Sequence, residues 1–234
     1  MCIRDRFKRL TVKGRESNLN ALIDLLGAAF LLFCCSQQLR LVYLPLYAIY
    51  FIARLTAQIY TRDENPVASL VSSFAAQAYI VFPIALMQGI LTLGRDVMLL
   101  EMFVLIWLND TGAYIVGSLF GRHRLYPRLS PKKSWEGFIG GVIFCVAASI
   151  AMHYMFPHPI HFADRSLWIM IGFGIIVPVF ATWGDLVESM IKRTVGVKDS
   201  GKLLPGHGGM LDRVDSLLLV APATFIYLIF TYLA

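Results

Sequence analysis

Acidic residues at regular spacing lie in the polar stretch that precedes the last apolar run of the chain. Asp185, Ser189 and Lys192 are spaced i, i+4 and i+7, which places them on one face of a helix. Asp212 and Asp215 follow, three residues apart. Hard divalent cations such as Mg²⁺ take oxygen ligands from carboxylates together with substrate phosphates. We therefore predict a magnesium site formed by Asp185, Asp212 and Asp215.

Basic residues accompany these acids in the same polar stretch. In a phosphoryl-type transfer, such charges hold the phosphates and neutralise the charge that grows on a leaving pyrophosphate. A glycine-rich turn at 205–209 stands shortly before Asp212, and its glycines let the backbone approach a ligand closely. The alternative is an ordinary solvated loop whose basic residues serve only membrane topology. The basic residues are Lys192, Arg193, Lys198, Lys202 and Arg213.

A second polar stretch, residues 121–137, also carries lysines. Ser130 and Pro131 form an N-cap and first-turn pair, which predicts a helix that opens beside these lysines. A helix N-terminus with two lysines attracts anions. The alternative is simple capping, with lysine stems lying along apolar surface. The residues near this predicted helix start are Lys132, Lys133, Ser134 and Glu136.

One carboxylate lies inside an apolar run. Asp110 falls within the run at 97–120, where an acid costs roughly 2.5 to 3.5 kcal/mol on insertion scales. Such a cost favours a functional role, and we predict that Asp110 takes part in catalysis. The alternative is a position close enough to the cytoplasmic end to stay hydrated. Asp24 and Glu101 lie nearer the ends of their runs, where we expect water to reach them.

The elements that position these residues are membrane helices. The chain has 234 residues, of which 57% are hydrophobic and 15% charged, against roughly 25% charged in a soluble domain. Only helices or closed barrels satisfy the backbone in lipid, and the apolar runs lack the alternation of barrel strands. We predict an all-α, polytopic helical bundle without strands. About seven spans are expected, at 19–36, 41–60, 67–92, 97–120, 138–156, 167–184 and 217–234, with a kink at Pro83.

Lysine and arginine are distributed unevenly between the two sides of the predicted bundle. Of the 21, all but Arg40, Arg95 and Arg165 fall on the side of the N-terminus. Positive residues accumulate on the cytoplasmic side, so we predict a cytoplasmic N-terminus and two cytoplasmic functional loops, in the cell's inner (plasma) membrane. The net charge of +6 therefore indicates topology and no nucleic-acid partner. The predicted divisions are a basic tail at 1–18, N-terminal transmembrane helices at 19–96, and a catalytic region at 97–234 with loops at 121–137 and 185–215.

Residues 189–215 resemble the signature of the phosphatidate cytidylyltransferases, also called CDP-diacylglycerol synthases. The upstream stretch 109–141 is similar to the same family, with Ser134 where threonine is common. The signature asks for Ser, Lys-Arg, Lys-Asp, Leu-Pro, His-Gly-Gly, and Asp-Arg with a second Asp. The chain meets it at Ser189, Lys192, Arg193, Lys198, Asp199, Leu204, Pro205, His207, Gly208, Gly209, Asp212, Arg213 and Asp215.

This resemblance implies a Mg²⁺-dependent membrane enzyme of phospholipid biosynthesis that converts CTP and phosphatidic acid to CDP-diacylglycerol and pyrophosphate. It also implies aspartates matching Asp185 and Asp212 around Mg²⁺, which K⁺ can accompany, and a homodimer. The predicted catalytic residues are Asp110, Lys133, Asp185, Lys192, Arg193, Asp212 and Asp215. The predicted substrate-binding residues are Lys132, Ser134, Glu136, Ser189, Lys198, Asp199, His207, Gly208, Gly209 and Arg213.

Two other functions fit parts of the sequence. A CTP-dependent polyprenol or lipid kinase also needs a metal, basic loops and a membrane-embedded acceptor, but its by-product is CDP. A transporter with Asp110 on its pathway belongs to a different class. It predicts broken spans in paired halves, a pattern that the sequence does not show.

Overall fold

The computed structural model describes residues 18–36, 43–61, 63, 65–92, 96–155, 167–196 and 211–233. Its N-terminal elements are α1 (Asn18–Ser36), α2 (Tyr43–Tyr60) and α3 (Pro66–Ala76), which continues through a π turn (Gln77–Val81) into α4 (Phe82–Thr92). The C-terminal elements are α5 (Asp96–Phe120), strands β1 (Arg124–Tyr126) and β2 (Ser130–Ser134), α6 (Trp135–Met155), α7 (Leu167–Val195), a 3₁₀ turn (Leu211–Arg213) and α8 (Asp215–Leu233).

The predicted helical membrane bundle is confirmed. Within the described residues, four helices are long and apolar enough to cross a membrane, and two shorter apolar helices accompany them. A bilayer core of about 30 Å needs roughly 20 apolar residues, so these lengths make the chain a multi-pass membrane protein. The number of spans, seven, stays a prediction. The four long segments are Pro66–Thr92, Val97–Phe120, Trp135–Met155 and Leu167–Thr194, and the shorter ones are Asn18–Phe33 and Asp215–Thr231.

The prediction of no strands is wrong, as is the predicted helix start at Ser130. Residues 124–126 and 130–134 form an antiparallel hairpin that pairs Tyr126 with Ser130. The helix begins at Trp135, where the Ser134 Oγ accepts a hydrogen bond from the Gly137 amide at 3.1 Å. Both serines have capping chemistry, but strand pairing uses the backbone from 130 to 134. The rule against strands applies to the lipid core, whereas the hairpin joins two helix ends.

The sixth predicted span also differs from expectation. The sequence prediction ends a span at 184 and assigns 185–215 to a loop, but α7 continues to Val195. The helical spacing of Asp185, Ser189 and Lys192 is therefore real, and their face belongs to a rigid helix. The polar residues can remain helical because tertiary contacts satisfy them, as described below.

The kink expected near Pro83 takes the form of the π turn. A proline lacks the backbone N–H of the regular helical ladder, and its ring crowds the carbonyl four residues earlier. The helix widens just before Pro83, with the Phe82 amide donating to the Gln77 carbonyl. Such single π turns often lie at functional sites.

Glycines set the closest helix contacts of the C-terminal region. A Cβ built on Gly137 of α6 would stand 2.8 Å from the Ala113 carbonyl oxygen of α5. A Cβ built on Gly184 of α7 would stand 2.8 Å from the Asp215 carbonyl oxygen of α8. These close approaches bring the polar ends of α5, α6, α7 and α8 together, as small residues do in membrane helix packing.

The N-terminal helices are joined by a buried polar network, contrary to the expectation for Asp24. Asp24 of α1 and Arg54 of α2 are both fully buried and form an ion pair at 3.3 Å. Glu101 is buried as well. The prediction that these acids stay hydrated is wrong because neighbouring helices, which the apolar pattern does not reveal, cover them.

Candidate active site

Three carboxylates meet where α7 packs on the start of α8. Asp185, Glu188 and Asp215 each offer an oxygen, and these oxygens all lie within 4.8 Å of one another. Glu188 is fully buried, and the other two are partly buried. Asp185 and Glu188 share a face of α7 because they are three residues apart. Asp215 reaches them from α8 because Gly184 lets the two backbones touch. We call these three residues the acidic cluster.

A lysine connects the acidic cluster to the 3₁₀ turn. The Lys192 ammonium forms ion pairs with Glu188 and with Asp212, the latter at 3.1 Å. Lys192 and Glu188 stand four residues apart on α7, a spacing that lets side chains meet. Asp212 thus lies at the edge of the cluster, where its carboxylate is paired with the Lys192 ammonium. Ser189 also belongs to this face, with its hydroxyl 3.4 Å from an Asp185 oxygen.

A second lysine joins the acidic cluster to the hairpin. Lys133 of β2 places its ammonium 2.5 Å from the Asp185 carboxylate and 3.4 Å from the Thr182 carbonyl oxygen. Both partners of the ion pair are partly exposed. Partial exposure leaves the ammonium of Lys133 open to an anionic ligand as well as to Asp185.

Beside Lys133 lies a cavity of about 430 Å³, bounded by α5, the hairpin, α6 and α7. Its lining combines cationic, hydroxyl, amide and aromatic groups, which suits a ligand with phosphates and a polar ring or headgroup. The side chain of Asp110 lines the cavity, so the intramembrane carboxylate faces a site and is not hidden in packing. The principal polar lining residues are Asn109, Asp110, Ser118, Arg124, Lys132 and Lys133.

Glu136 bonds to the start of the hairpin whose residues line this cavity. Its carboxylate accepts hydrogen bonds from the Arg122 and His123 amides at 3.1 and 3.2 Å. It also lies 2.6 Å from the His123 Nδ1. These contacts tie the start of the hairpin to the first turn of α6. Glu136 therefore acts in this structure as a clasp for the strands that carry Arg124 and the two lysines.

The acidic cluster fits a hard divalent cation. Its donors are three carboxylates, with no imidazole or thiolate among them. Mg²⁺ favours such oxygen donors and keeps places for waters and phosphates, whereas zinc favours nitrogen and sulfur. Lys133 and Lys192 flank the cluster and offset part of its negative charge. The compact set differs from the predicted one, because Glu188 takes the place of Asp212.

Comparison with known proteins agrees with this chemistry. Residues 1–231 match a family model described as "Cytidylyltransferase family". The chain belongs to the cytidylyltransferase family.

Individual relatives match part of this family member. The phosphatidate cytidylyltransferases of Staphylococcus aureus (strain COL) and Staphylococcus haemolyticus (strain JCSC1435) are 47% and 49% identical to it over 131 residues. That stretch covers 56% of this chain and 48% of each relative. The phosphatidate cytidylyltransferase of Staphylococcus saprophyticus is 48% identical over 127 residues, which cover 54% of this chain and 47% of that relative. The chain thus spans about half the length of the curated relatives it matches.

Most of the predicted site residues that the structure describes lie in one region of this cytidylyltransferase-family protein. Two groups form, one at the acidic cluster and one at the cavity, and Lys133 connects them. Exposed Arg193 and Arg213 are at the end of α7 and in the 3₁₀ turn. Around the cluster lie Asp185, Ser189, Lys192, Asp212 and Asp215. The cavity is lined by Asp110, Lys132, Lys133 and Ser134, and Glu136 bonds to the start of the hairpin. Lys198, Asp199, His207, Gly208 and Gly209 lie outside the described residues, so their predicted roles stay predictions.

Two residues near the acidic cluster are not among the predicted site residues. Glu188 was detectable, because it stands three residues after Asp185 and four before Lys192 on the predicted helical face. Tyr79 was not detectable from its local sequence. It belongs to the π turn and packs against the apolar cluster that contains Leu211 of the 3₁₀ turn.

Proposed function

We propose that this chain transfers the cytidylyl group of CTP to the phosphate of phosphatidic acid, producing CDP-diacylglycerol and pyrophosphate. The observation that carries the proposal is the Lys133–Asp185 contact. It joins an oxygen-donor acidic cluster to a cavity with cationic walls, at the end of membrane helices. Membership of the cytidylyltransferase family and the names of the relatives support the same reaction.

In the proposed step, a phosphate oxygen of the lipid attacks the α-phosphorus of CTP. A new P–O bond forms, the bond from the α-phosphorus to the α,β-bridging oxygen breaks, and pyrophosphate leaves with that electron pair. Arg124, Lys132 and Lys133 line the space next to the cluster and hold phosphates there. Such a displacement depends on positioning and charge stabilisation, so no covalent nucleophile is needed.

The acidic cluster is the proposed Mg²⁺ site. Asp185, Glu188 and Asp215 would hold the ion, and Lys192 would keep Asp212 beside them. When bound, Mg²⁺ supplies positive charge that screens phosphate oxygens and stabilises the developing pyrophosphate. A K⁺ ion, implied by the family resemblance alone, remains a prediction.

The orientation follows from the same proposal. We place the N-terminus and the hairpin on the cytoplasmic side of the plasma membrane, because CTP is a cytoplasmic solute and the basic residues accumulate on that side. The lipid acceptor is reached from the bilayer. Homodimer formation is part of the proposal on the family resemblance alone.

The test is product analysis on the purified full chain in detergent micelles with CTP, Mg²⁺ and phosphatidic acid. We expect CDP-diacylglycerol by mass spectrometry and one pyrophosphate released for each molecule formed. Asp185→Asn should abolish both products while retaining the thermal unfolding profile of the folded protein. A matched control is Asp63→Asn, which changes an acid on the N-terminal side of the fold, outside the acidic cluster.

The products also separate the proposal from its rivals. Release of CDP with a phosphorylated lipid would show a kinase and overturn the proposal. Ion or solute flux across proteoliposomes with intact CTP would show a transporter. Product formation by Asp185→Asn at the wild-type rate would contradict the site assignment.

A further inference from the structure

A buried ion pair in the N-terminal helices is surrounded by hydrogen bonds from several side chains. Arg54 and Asp24 are fully buried, with the guanidinium 3.3 Å from the carboxylate. Other guanidinium nitrogens donate to the Ser73 hydroxyl at 3.0 Å and to the Gln58 side-chain oxygen at 2.7 Å. The Tyr50 hydroxyl donates to Asp24 at 2.8 Å. Each of these groups comes from α1, α2 or α3, so the pair ties three helices together.

Asp24 accepts one hydrogen bond from α3 and one from the π turn that follows it. The Ser73 hydroxyl on α3 donates to the Asp24 carboxylate at 2.8 Å. The Gln77 side-chain amide donates to the Asp24 backbone carbonyl at 2.9 Å. Gln77 is the first residue of the π turn and is almost fully buried. The position of the π turn along α1 is therefore set by a directional bond and not by apolar contact alone.

The π turn in turn supports the segment that carries the acids. Ile80 of the π turn forms one buried apolar cluster with Leu211 of the 3₁₀ turn and Leu218 of α8. Tyr79 packs against the same apolar cluster. Asp212 and Asp215 stand between Leu211 and Leu218 in the chain. These packing contacts connect the π turn to the segment that presents Asp215.

We propose that the buried Asp24–Arg54 pair positions the acidic cluster through Gln77 and the π turn. The inference rests on the proposed function only in taking the acidic cluster as the reacting centre. Asp24, Arg54 and Gln77 are positioning residues, since the described contacts connect them to the cluster only through other residues.

The energetics of buried charges favour positioning over stability. Replacing a buried ion pair with apolar residues of similar volume is often neutral or stabilising, so such a pair is weak evidence for a stability role. A buried polar network, in contrast, favours one helix register, because its paired groups lose their partners when a helix shifts. Placing an acidic cluster from α7 and α8 requires that kind of constraint.

Two variants separate positioning from general stability. Gln77→Met keeps the volume of the side chain but removes the donor that holds the π turn. Asn20→Leu is the matched control. Asn20 is fully buried in the same network, but its amide donates to Gln58, Thr61 and Asp63, on the side away from the π turn. Both changes remove buried hydrogen bonds, and only the first acts on the link to the acidic cluster.

The first measurement is hydrogen–deuterium exchange of the backbone amides at 211–218 in the full chain in detergent, without added metal. We expect faster exchange there in Gln77→Met and wild-type exchange in Asn20→Leu. Unchanged exchange in Gln77→Met would overturn the proposal. Equal acceleration in both variants would also overturn it, because the network would then act through overall stability.

The second measurement is Mn²⁺ binding by electron paramagnetic resonance, with Mn²⁺ as the probe for the acidic cluster. We expect Gln77→Met to weaken Mn²⁺ binding by about tenfold, the lower end of the range for residues that orient metal ligands. Asn20→Leu should bind as the wild type does. Wild-type affinity in Gln77→Met would overturn the proposal. Absence of binding in the wild type would contradict the metal site of the proposed function, and the exchange result would still decide the positioning role.

Discussion

Gly184 is the point at which a single methyl group should separate the acids. A Cβ at this position would lie 2.8 Å from the Asp215 carbonyl oxygen and 2.9 Å from the Ser216 Cα. Ordinary contact begins at 3.4 Å, so Gly184→Ala must push α7 and α8 apart by about 0.6 Å. Both nearest atoms belong to the backbone, and no rotamer change can relieve the clash. The displacement therefore falls on Asp215 itself.

The size of this displacement sets the expected loss of activity. Functional groups need to be held within roughly 0.5 Å of their productive geometry. A misplacement of about 1 Å costs about a hundredfold in rate, so we expect Gly184→Ala to lower turnover by about tenfold to a hundredfold. Overpacking should also cost about 1 to 3 kcal/mol of stability. Mn²⁺ binding should weaken in parallel, because the oxygens of the acidic cluster move apart.

Gly174→Ala provides the matched control on the same helix. A Cβ there would lie 2.9 Å from the Val146 Cα of α6, again a backbone contact. The two glycines are ten residues apart, or about 15 Å along a helix. Pyrophosphate release, Mn²⁺ binding and thermal unfolding should be measured on both variants. Gly184→Ala with wild-type turnover and Mn²⁺ affinity, or an equal loss of Mn²⁺ affinity in Gly174→Ala, would refute the reasoning.

Three further changes test the remaining parts of the site. Lys133→Met should lower pyrophosphate release by about a hundredfold or more, since it removes a cation aimed at developing charge; Lys133→Arg should recover part of the rate, and equal rates in the two variants would contradict a role for the charge. Glu188→Gln should raise the Mg²⁺ concentration needed for half-maximal rate by about tenfold, which a Mg²⁺ titration measures and an unshifted curve would disprove. Glu136→Gln should speed hydrogen exchange at 122–134 and raise the KM for CTP with little effect on the melting temperature, and a hairpin as protected as in the wild type would exclude the clasp.

Several elements could be predicted from local sequence because their causes are local. Apolar runs long enough to cross a bilayer predict helices without reference to neighbours, as Val97–Phe120 and Trp135–Met155 show. The shared face of Asp185, Ser189 and Lys192 follows from helical geometry alone. Local capping chemistry was ambiguous. Ser130 and Ser134 are both suitable N-caps, and the strand pairing of 124–126 with 130–134 decides between them.

The site required contacts between distant parts of the chain. Lys133 and Asp185 are 52 residues apart in sequence, and their 2.5 Å contact depends on where α6 and α7 pack. The acidic cluster contains Glu188 and not the predicted Asp212. Asp215 reaches this cluster because α8 approaches α7 at Gly184, a contact that helical periodicity does not reveal. Burial of Asp24 depends on Arg54 in the same way.

Local sequence is enough to predict membrane helices, polar helix ends that carry charge, and a signature that resembles that of the phosphatidate cytidylyltransferases. Hydropathy and helical spacing depend only on residues within a few helical turns, so they can be predicted from local sequence. Only the packing of the bundle shows which acids lie together, which lysine connects them to the cavity, and that Asp24 is buried against Arg54. Those facts depend on backbone approach at single glycines and on buried side-chain bonds between helices, which arise only when the whole bundle packs.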